Sequence, residues 1–152
     1  VVRGPILAAA LLAAAPAAAD PTLGPWLTED RRGVIELARC DDAAGPRLCG
    51  RLAWTADPAD APIPRDGRNP DPALRDRPLC GATLFYDFRP GPDGAWIDGR
   101  IYNPEDGEVY RATIRADGDG RLVLRGYVLV PLLGRSQTWT RVTEPPPPCR
   151  GG

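Results

Sequence analysis

A chain of 152 residues, 43% of them apolar and 26% charged, suits one compact domain with enough apolar side chains for a core. It carries no His, no Lys, no Met and a single Ser, and its 19 basic and 20 acidic residues leave a formal net charge of −1. Ser-His and Cys-His nucleophile pairs, imidazole metal ligands and lysine Schiff bases are therefore excluded. The faintly acidic balance gives neither nucleic acid nor an anionic membrane a long-range attraction.

The first 19 residues follow a secretory plan, with Arg3 at the positive end, an apolar run over residues 6–15, and Ala17-Ala18-Ala19 ahead of Asp20. The run is shorter than the roughly 20 apolar residues a spanning helix needs, and nothing later in the chain approaches that length. The expectation is a signal peptide over 1–19, one domain over 20–143 and a Pro-rich tail over 144–152, in an exported protein that is periplasmic or secreted. No Cys follows the cleavage point, so no lipid anchor is expected. Removing Arg3 moves the charge balance to 18 − 20 = −2.

Export gives the 4 Cys a meaning, because an even number in an oxidising compartment reads as a disulfide framework. Cys40 and Cys49 flank the turn-rich stretch Asp41-Asp42-Ala43-Ala44-Gly45-Pro46 and can face one another across the base of a hairpin loop. Closing that loop stabilises by about 2.7 kcal/mol in the chain-entropy model. By elimination Cys80 pairs with Cys149 and pins the tail to the body. The competing reading leaves Cys80 and Cys149 as free thiols on a disordered tail with Pro145 to Pro148 in succession.

From Asp20 onward the chain reads as short strands near residues 23–28, 33–39, 48–55, 83–88, 96–102, 109–116, 121–128 and 136–142. Turn residues punctuate them, as in Gly91-Pro92-Asp93-Gly94, Asn103-Pro104-Glu105-Asp106-Gly107 and Asp117-Gly118-Asp119-Gly120. No helix-period run exceeds two turns. Alternation is clearest late, where Tyr110, Ala112, Ile114 and Ala116 share one face and Arg111, Thr113 and Arg115 the other, followed by Leu122, Leu124, Gly126 and Val128. Eight strands with mostly short connections would leave two adhesive edges in an open sheet, and closure removes both. The expected fold is all-β: a closed or nearly closed eight-stranded antiparallel up-and-down barrel. A two-sheet sandwich is the alternative.

Gly24-Pro25-Trp26 on the first strand with Arg141 on the last resembles the calycin signature, in which a Trp packs under an Arg from the closing strand. A shielded guanidinium over an indole gains about 1 kcal/mol or more, and first strand meets last only in a closed sheet. Over nearly the whole chain after residue 19 the sequence also resembles an uncharacterised family of exported bacterial proteins, catalogued as domain of unknown function 2147. The matching stretches are Gly24-Pro25-Trp26, Leu48-Cys49-Gly50 with Cys40 upstream, Asn69-Pro70-Asp71 through Leu74-Arg75 to Arg77-Pro78-Leu79, Gly99-Arg100-Ile101-Tyr102-Asn103-Pro104-Glu105-Asp106-Gly107, Gly126-Tyr127-Val128, and Leu133-Gly134-Arg135-Ser136-Gln137-Thr138-Trp139-Thr140-Arg141. The resemblance implies a small lipocalin-like barrel and lends no activity. Cys80 and the Cys149 tail depart from that pattern, so the second disulfide is not inherited from it.

Residues 56–81 are too long and Pro-rich for an ordinary hairpin connection, and such loops are usually functional or disordered. Asp71 can cap a helical turn that starts at Pro72, which argues for an ordered lid across one mouth, with Leu74 and Leu79 inward and Arg75 and Arg77 at the rim. An eight-stranded interior is either just filled or wide enough for one small ligand. Trp26, Trp54, Tyr86, Ile97, Ile101, Tyr110, Ile114 and Leu124 could fill it, while Gly99, Ala112 and Gly126 would leave room beside them. The candidate ligand site is a narrow apolar pocket with Tyr102, Asn103, Arg135, Gln137, Arg75 and Arg77 near its mouth, for a small apolar or amphipathic molecule, without enzymatic activity, cofactor or metal, in a monomer. The alternative is a solid core and an interaction or inhibitor-like module for an envelope protein. Paired-carboxylate chemistry stays formally open with Asp98 or Glu105 as acid and Asp106 or Asp87 as partner. The acidic turns lack the spacing of a calcium loop. Finally, residues 128–133 are too apolar for a plain loop, and Pro131 breaks pairing there, so the segment either plugs the barrel end or forms an exposed patch.

Overall fold

The computed structural model describes residues 18–118 and 120–150. The predicted leader therefore lies almost wholly outside the described residues. Eight antiparallel strands follow in chain order: β1 (Gly24–Leu27), β2 (Gly33–Arg39), β3 (Leu48–Thr55), β4 (Thr83–Pro90), β5 (Trp96–Asn103), β6 (Glu108–Ala116), β7 (Arg121–Tyr127) and β8 (Arg135–Arg141). Each pairs with the next, and β8 pairs back onto β1 through Trp26↔Arg141 and Leu27↔Thr140, so the sheet is a closed barrel with no free edge. The closed barrel is the one expected from the strand count. Among the described residues helix is confined to single 3₁₀ turns, one of them Pro72–Leu74 inside the long loop, capped by Asp71, whose carboxylate accepts from the Ala73 N–H.

Up-and-down topology sorts the connections onto two ends. One end carries the β2–β3, β4–β5 and β6–β7 turns and the segment before β1. The other carries the β1–β2 turn, the 56–82 loop, the β5–β6 turn and the 128–134 loop.

The first end is packed solid. Trp26, Leu37, Leu48, Phe88, Ile114 and Leu122 are fully buried there. The Arg141 guanidinium lies 4.1 Å from the Trp26 ring centroid and donates to the Leu23 carbonyl at 2.9 Å and to that of Pro21, as the signature requires. The segment before β1 covers this end through buried Thr22. The Trp26 indole N–H donates to the Thr22 carbonyl at 2.8 Å, and the Trp96 indole N–H reaches both the Thr22 hydroxyl and the Asp20 carboxylate at 3.0 Å. These bonds satisfy the polar edges of two buried indoles.

Two aspartates disturb the period-two pattern and change which residues face inward. Asp87 and Asp98 adopt left-handed backbone (φ 64° and 55°), and the β4–β5 ladder is interrupted between them. On β5 the buried positions become Trp96, Gly99 and Tyr102, three apart instead of two. Ile97, expected inside, instead covers Gly91 in the β4–β5 turn. Tyr86 and Trp54, also expected inside, are only half-buried. Gly99 leaves no room either. The Phe88 ring occupies the space its side chain would take, at 2.1 Å from where a Cβ would stand.

Both disulfides are formed, Cys40–Cys49 with Cα atoms 5.8 Å apart and Cys80–Cys149 at 5.6 Å. The second joins residues 69 apart, so the tail is tied to the base of the long loop. Arg150 strengthens that tie by donating to the Ala59 and Ala61 carbonyls at 2.9 and 2.7 Å. Val142, at the start of the tail, donates to the Pro25 carbonyl beside β1. Residues 143–149 therefore return from the solid end to the open one.

Candidate functional site

The second end is open. An apolar floor of Ile35, Leu52, Leu84, Phe85, Leu124 and Trp139 lies beneath a cavity of about 960 Å³. Its rim is polar. Tyr102, Asn103, Arg135 and Gln137, four of the six mouth residues anticipated from the sequence, all line it, together with Glu29, Arg32 and Glu105. Gly126 lines it too, and a side chain there would meet nothing closer than the Arg111 carbonyl at 3.9 Å. The sheet register explains the grouping. Leu122↔Trp139, Leu124↔Gln137 and Gly126↔Arg135 are opposed on β7 and β8, so a packed layer grades upward into a polar one and then a charged one.

The polar groups are not equally available. The Gln137 amide oxygen accepts from the Trp139 indole at 2.9 Å, which orients the ring edge-on to Phe85 at a centroid distance of 5.6 Å. Arg135 has no ion-pair or hydrogen-bond partner among the described residues. It is a solvated cation at the mouth of an apolar chamber. Arg32, by contrast, is held by Glu105 at 3.2 Å.

Tyr102 is fastened to the long loop through Asp66, a residue to which the sequence reading gave no role. Asp66 is completely buried, and its carboxylate accepts from Tyr102 Oη at 2.5 Å, from Asn69 Nδ2 at 2.7 Å and from Arg77 Nε at 2.9 Å, with Arg77 Nη2 at 2.7 Å. Burial alone would push the Asp66 carboxyl up. The three hydrogen bonds and the Arg77 charge more than reverse this and hold it below the ordinary carboxylate value. Burial, then the bond to Asp66 and its charge, push the Tyr102 hydroxyl up to about 12. At neutral pH the pair is thus carboxylate and phenol, a charge-assisted bond joining loop to barrel. Gly107 lets the two surfaces touch. It sits at φ +77°, and a Cβ there would stand 2.2 Å from the Arg68 carbonyl.

Arg77 is therefore turned onto Asp66. Arg75 donates to the Asn69 carbonyl at 2.9 Å, and neither arginine is among the residues lining the cavity. Leu74, expected to face inward, is exposed, because the capped turn projects away from the barrel. Leu79 does pack against the core and joins Pro64 in the cavity wall. The loop is ordered and anchored at the rim. In the sequence, Asp66-Gly67 reads only as turn chemistry, and no local pattern shows that residue 66 will meet residue 102.

The carboxylates considered for acid–base chemistry each have a partner close by, and of them only Glu105 lines the cavity. Asp98 pairs with Arg89, Asp87 with Arg100 at 3.7 Å, and Glu105 with Arg32, while Asp106 accepts from Tyr110 at 2.7 Å and from Asn103 at 3.0 Å. Among the described residues no group of three or more His, Cys, Asp or Glu could hold a metal ion. The 128–133 segment does not plug the barrel. Val128, Leu129, Leu132 and Leu133 are each at least 70% exposed, so of the two alternatives the segment forms the exposed patch. β7 ends at Tyr127, which takes Val128 out of the inward row.

The chain covers 80% of its length on a solved structure of protein HP1028 from Helicobacter pylori, described as belonging to the lipocalin family, and spans 83% of that chain with 20% identity and a TM-score of 0.67. That likeness shows a lipocalin-like fold. No curated protein matches the chain. A family described as an uncharacterised protein conserved in bacteria (DUF2147) matches residues 24–141, from the glycine that opens β1 to the arginine that closes the barrel. The chain therefore belongs to the DUF2147 family and folds as a closed, eight-stranded, lipocalin-like barrel.

Proposed function

We propose that this protein is an exported, non-enzymatic binding protein that holds one small apolar or amphipathic molecule in the open end of its barrel. The observation that carries the reading is the unequal filling of the interior: the same eight strands enclose a solid aromatic core at one end and a cavity of about 960 Å³ at the other. That volume lies within the range of small-molecule sites, which bury an apolar body and fix it with a few polar groups. Here Trp139, Phe85 and Leu124 supply the apolar wall, and Asn103, Gln137 and Arg135 supply donors at the mouth. Arg135 favours a ligand whose exposed end is an anion or a hydrogen-bond acceptor. Two disulfides fit an oxidising compartment, which supports export to the periplasm or beyond.

The test is native mass spectrometry of the purified protein after incubation with phospholipids, fatty acids, quinones and small glycans. A one-to-one adduct with members of the first three sets and none with glycans is expected. Absence of an adduct with every set would remove the reading.

A further inference from the structure

Between β7 and β8 the chain presents Val128, Leu129, Val130, Leu132 and Leu133 to solvent. Leu129 is 78% exposed and Leu132 86%, and five exposed apolar residues within one short loop are unusual on a folded domain. The loop is held in shape rather than collapsed. The Arg125 guanidinium donates to the Leu132 carbonyl at 3.2 Å and to the Ser136 hydroxyl at 3.0 Å, and Leu133 N–H closes a turn onto the Val130 carbonyl at 3.1 Å. A structure that fixes the stem of the loop keeps its apolar side chains outward.

Three observations identify what covers them. First, the loop borders the cavity, since Val128, Leu133, Gly134 and Arg135 belong to its wall. Apolar side chains of the loop, Val128 and Leu133, therefore form part of the cavity wall. Second, one seven-residue loop is far smaller than the roughly 800 Å² and 20–30 residues per partner of a stable protein interface. A second copy of this chain gains too little from it. A bilayer needs no matching shape and accepts apolar side chains about 5–10 Å below the headgroups. Third, no Asp or Glu occurs between residues 119 and 144, while Arg121, Arg125, Arg135 and Arg141 do. No carboxylate on this hairpin would be desolvated against a headgroup layer.

We propose that the 128–134 loop seats in the interfacial layer of a phospholipid bilayer, so that the mouth of the barrel opens toward lipid. The attachment is apolar and reversible. The net acidic charge of the whole chain gives it no electrostatic steering. The proposal goes beyond the ligand role and stands without it.

The test is co-sedimentation of the full chain with vesicles of phosphatidylcholine alone and of phosphatidylcholine with phosphatidylglycerol, at low and high salt. Binding to both compositions is expected, equal within about threefold and little changed by salt. The double variant L129S/L132S, whose residues lie outside the cavity wall, is expected to bind vesicles at least about tenfold more weakly. It should keep its thermal stability and its amphiphile adducts in native mass spectrometry without vesicles, which separates this proposal from the binding role. Four results would overturn it: no vesicle binding by a monomer; no vesicle binding together with a dimer that the double variant abolishes; binding that survives the double variant; or binding that demands phosphatidylglycerol and vanishes with salt.

Discussion

The two ends of this barrel are built from the same strands and do opposite things. At the solid end every polar edge inside is answered. The two indole N–H groups of Trp26 and Trp96 end on Thr22 and Asp20, and Arg141 covers Trp26 while binding backbone carbonyls. At the open end the inward row ascends from Trp139 through Gln137 to Arg135, and the facing strand ascends from Leu122 through Leu124 to Gly126. A residue without a side chain opposite a long solvated one cannot complete a core layer. The difference between a filled and a hollow barrel thus comes down to a few positions near one rim, with the overall hydrophobic pattern unchanged.

Substitutions should separate the ends by their cost. Phe88→Ala at the solid end removes a ring that fills the space above Gly99 and should destabilise by about 3–5 kcal/mol, read as a fall in the chemical-denaturation midpoint. A midpoint close to wild type would mean that this end is not the packed one. Replacing Cys80 and Cys149 by Ala frees a closure of residues 69 apart and is expected to cost about 4 kcal/mol, against about 2.7 kcal/mol for Cys40 and Cys49. Proteolysis should then cut first within 56–79 in the former variant. Equal protection of that loop in both variants would contradict its being braced by the tail.

The loop latch gives a smaller and pH-dependent effect. Asp66→Asn keeps the shape and loses the charge that Arg77 and Tyr102 face, and should cost about 2 kcal/mol at neutral pH, discounted because Arg77 is one-third exposed. The sign follows from the lowered carboxyl value: the wild-type advantage is present above the usual carboxylate range and fades as acid titrates the folded carboxyl. Thermal melts of both proteins from about pH 8 downward should therefore converge below about pH 4. Tyr102, raised to about 12, keeps its contribution below the ordinary phenol value and loses it only as pH rises through the folded one. Smallest of all in stability is Gly126→Leu at the open end. With open space at that position it should change the denaturation free energy by less than about 1 kcal/mol while narrowing the chamber.

Much of this architecture can be read in the residues themselves. Alternation, turn chemistry and the Trp26–Arg141 pair specify eight strands and closure, because each is a local pattern or a short motif with one geometric consequence. Four of the six mouth residues follow from the same reasoning, since strand ends near Asn103 and Arg135 must lie at a rim. The failures are equally specific. Ile97 turns outward because Asp98 takes up a left-handed conformation, which a strand pattern does not reveal. Arg75 and Arg77 answer to groups in their own loop, Asp66 and the Asn69 carbonyl, and that loop's path depends on contact with Tyr102. The 128–133 segment reads as core by hydrophobicity alone. It stays outside because its stem is fixed by Arg125 and the interior beneath it opens to solvent.

Titration of wild type and Gly126→Leu with the apolar fluorescent dye N-phenylnaphthylamine, followed by dye emission and by quenching of tryptophan emission, tests the hollow end most directly. One saturable site per wild-type chain, with clearly weaker binding in the equally stable variant, is the expected result. Saturable binding of the same strength in both proteins, or none in either, would show that the chamber beneath Gly126 holds no ligand.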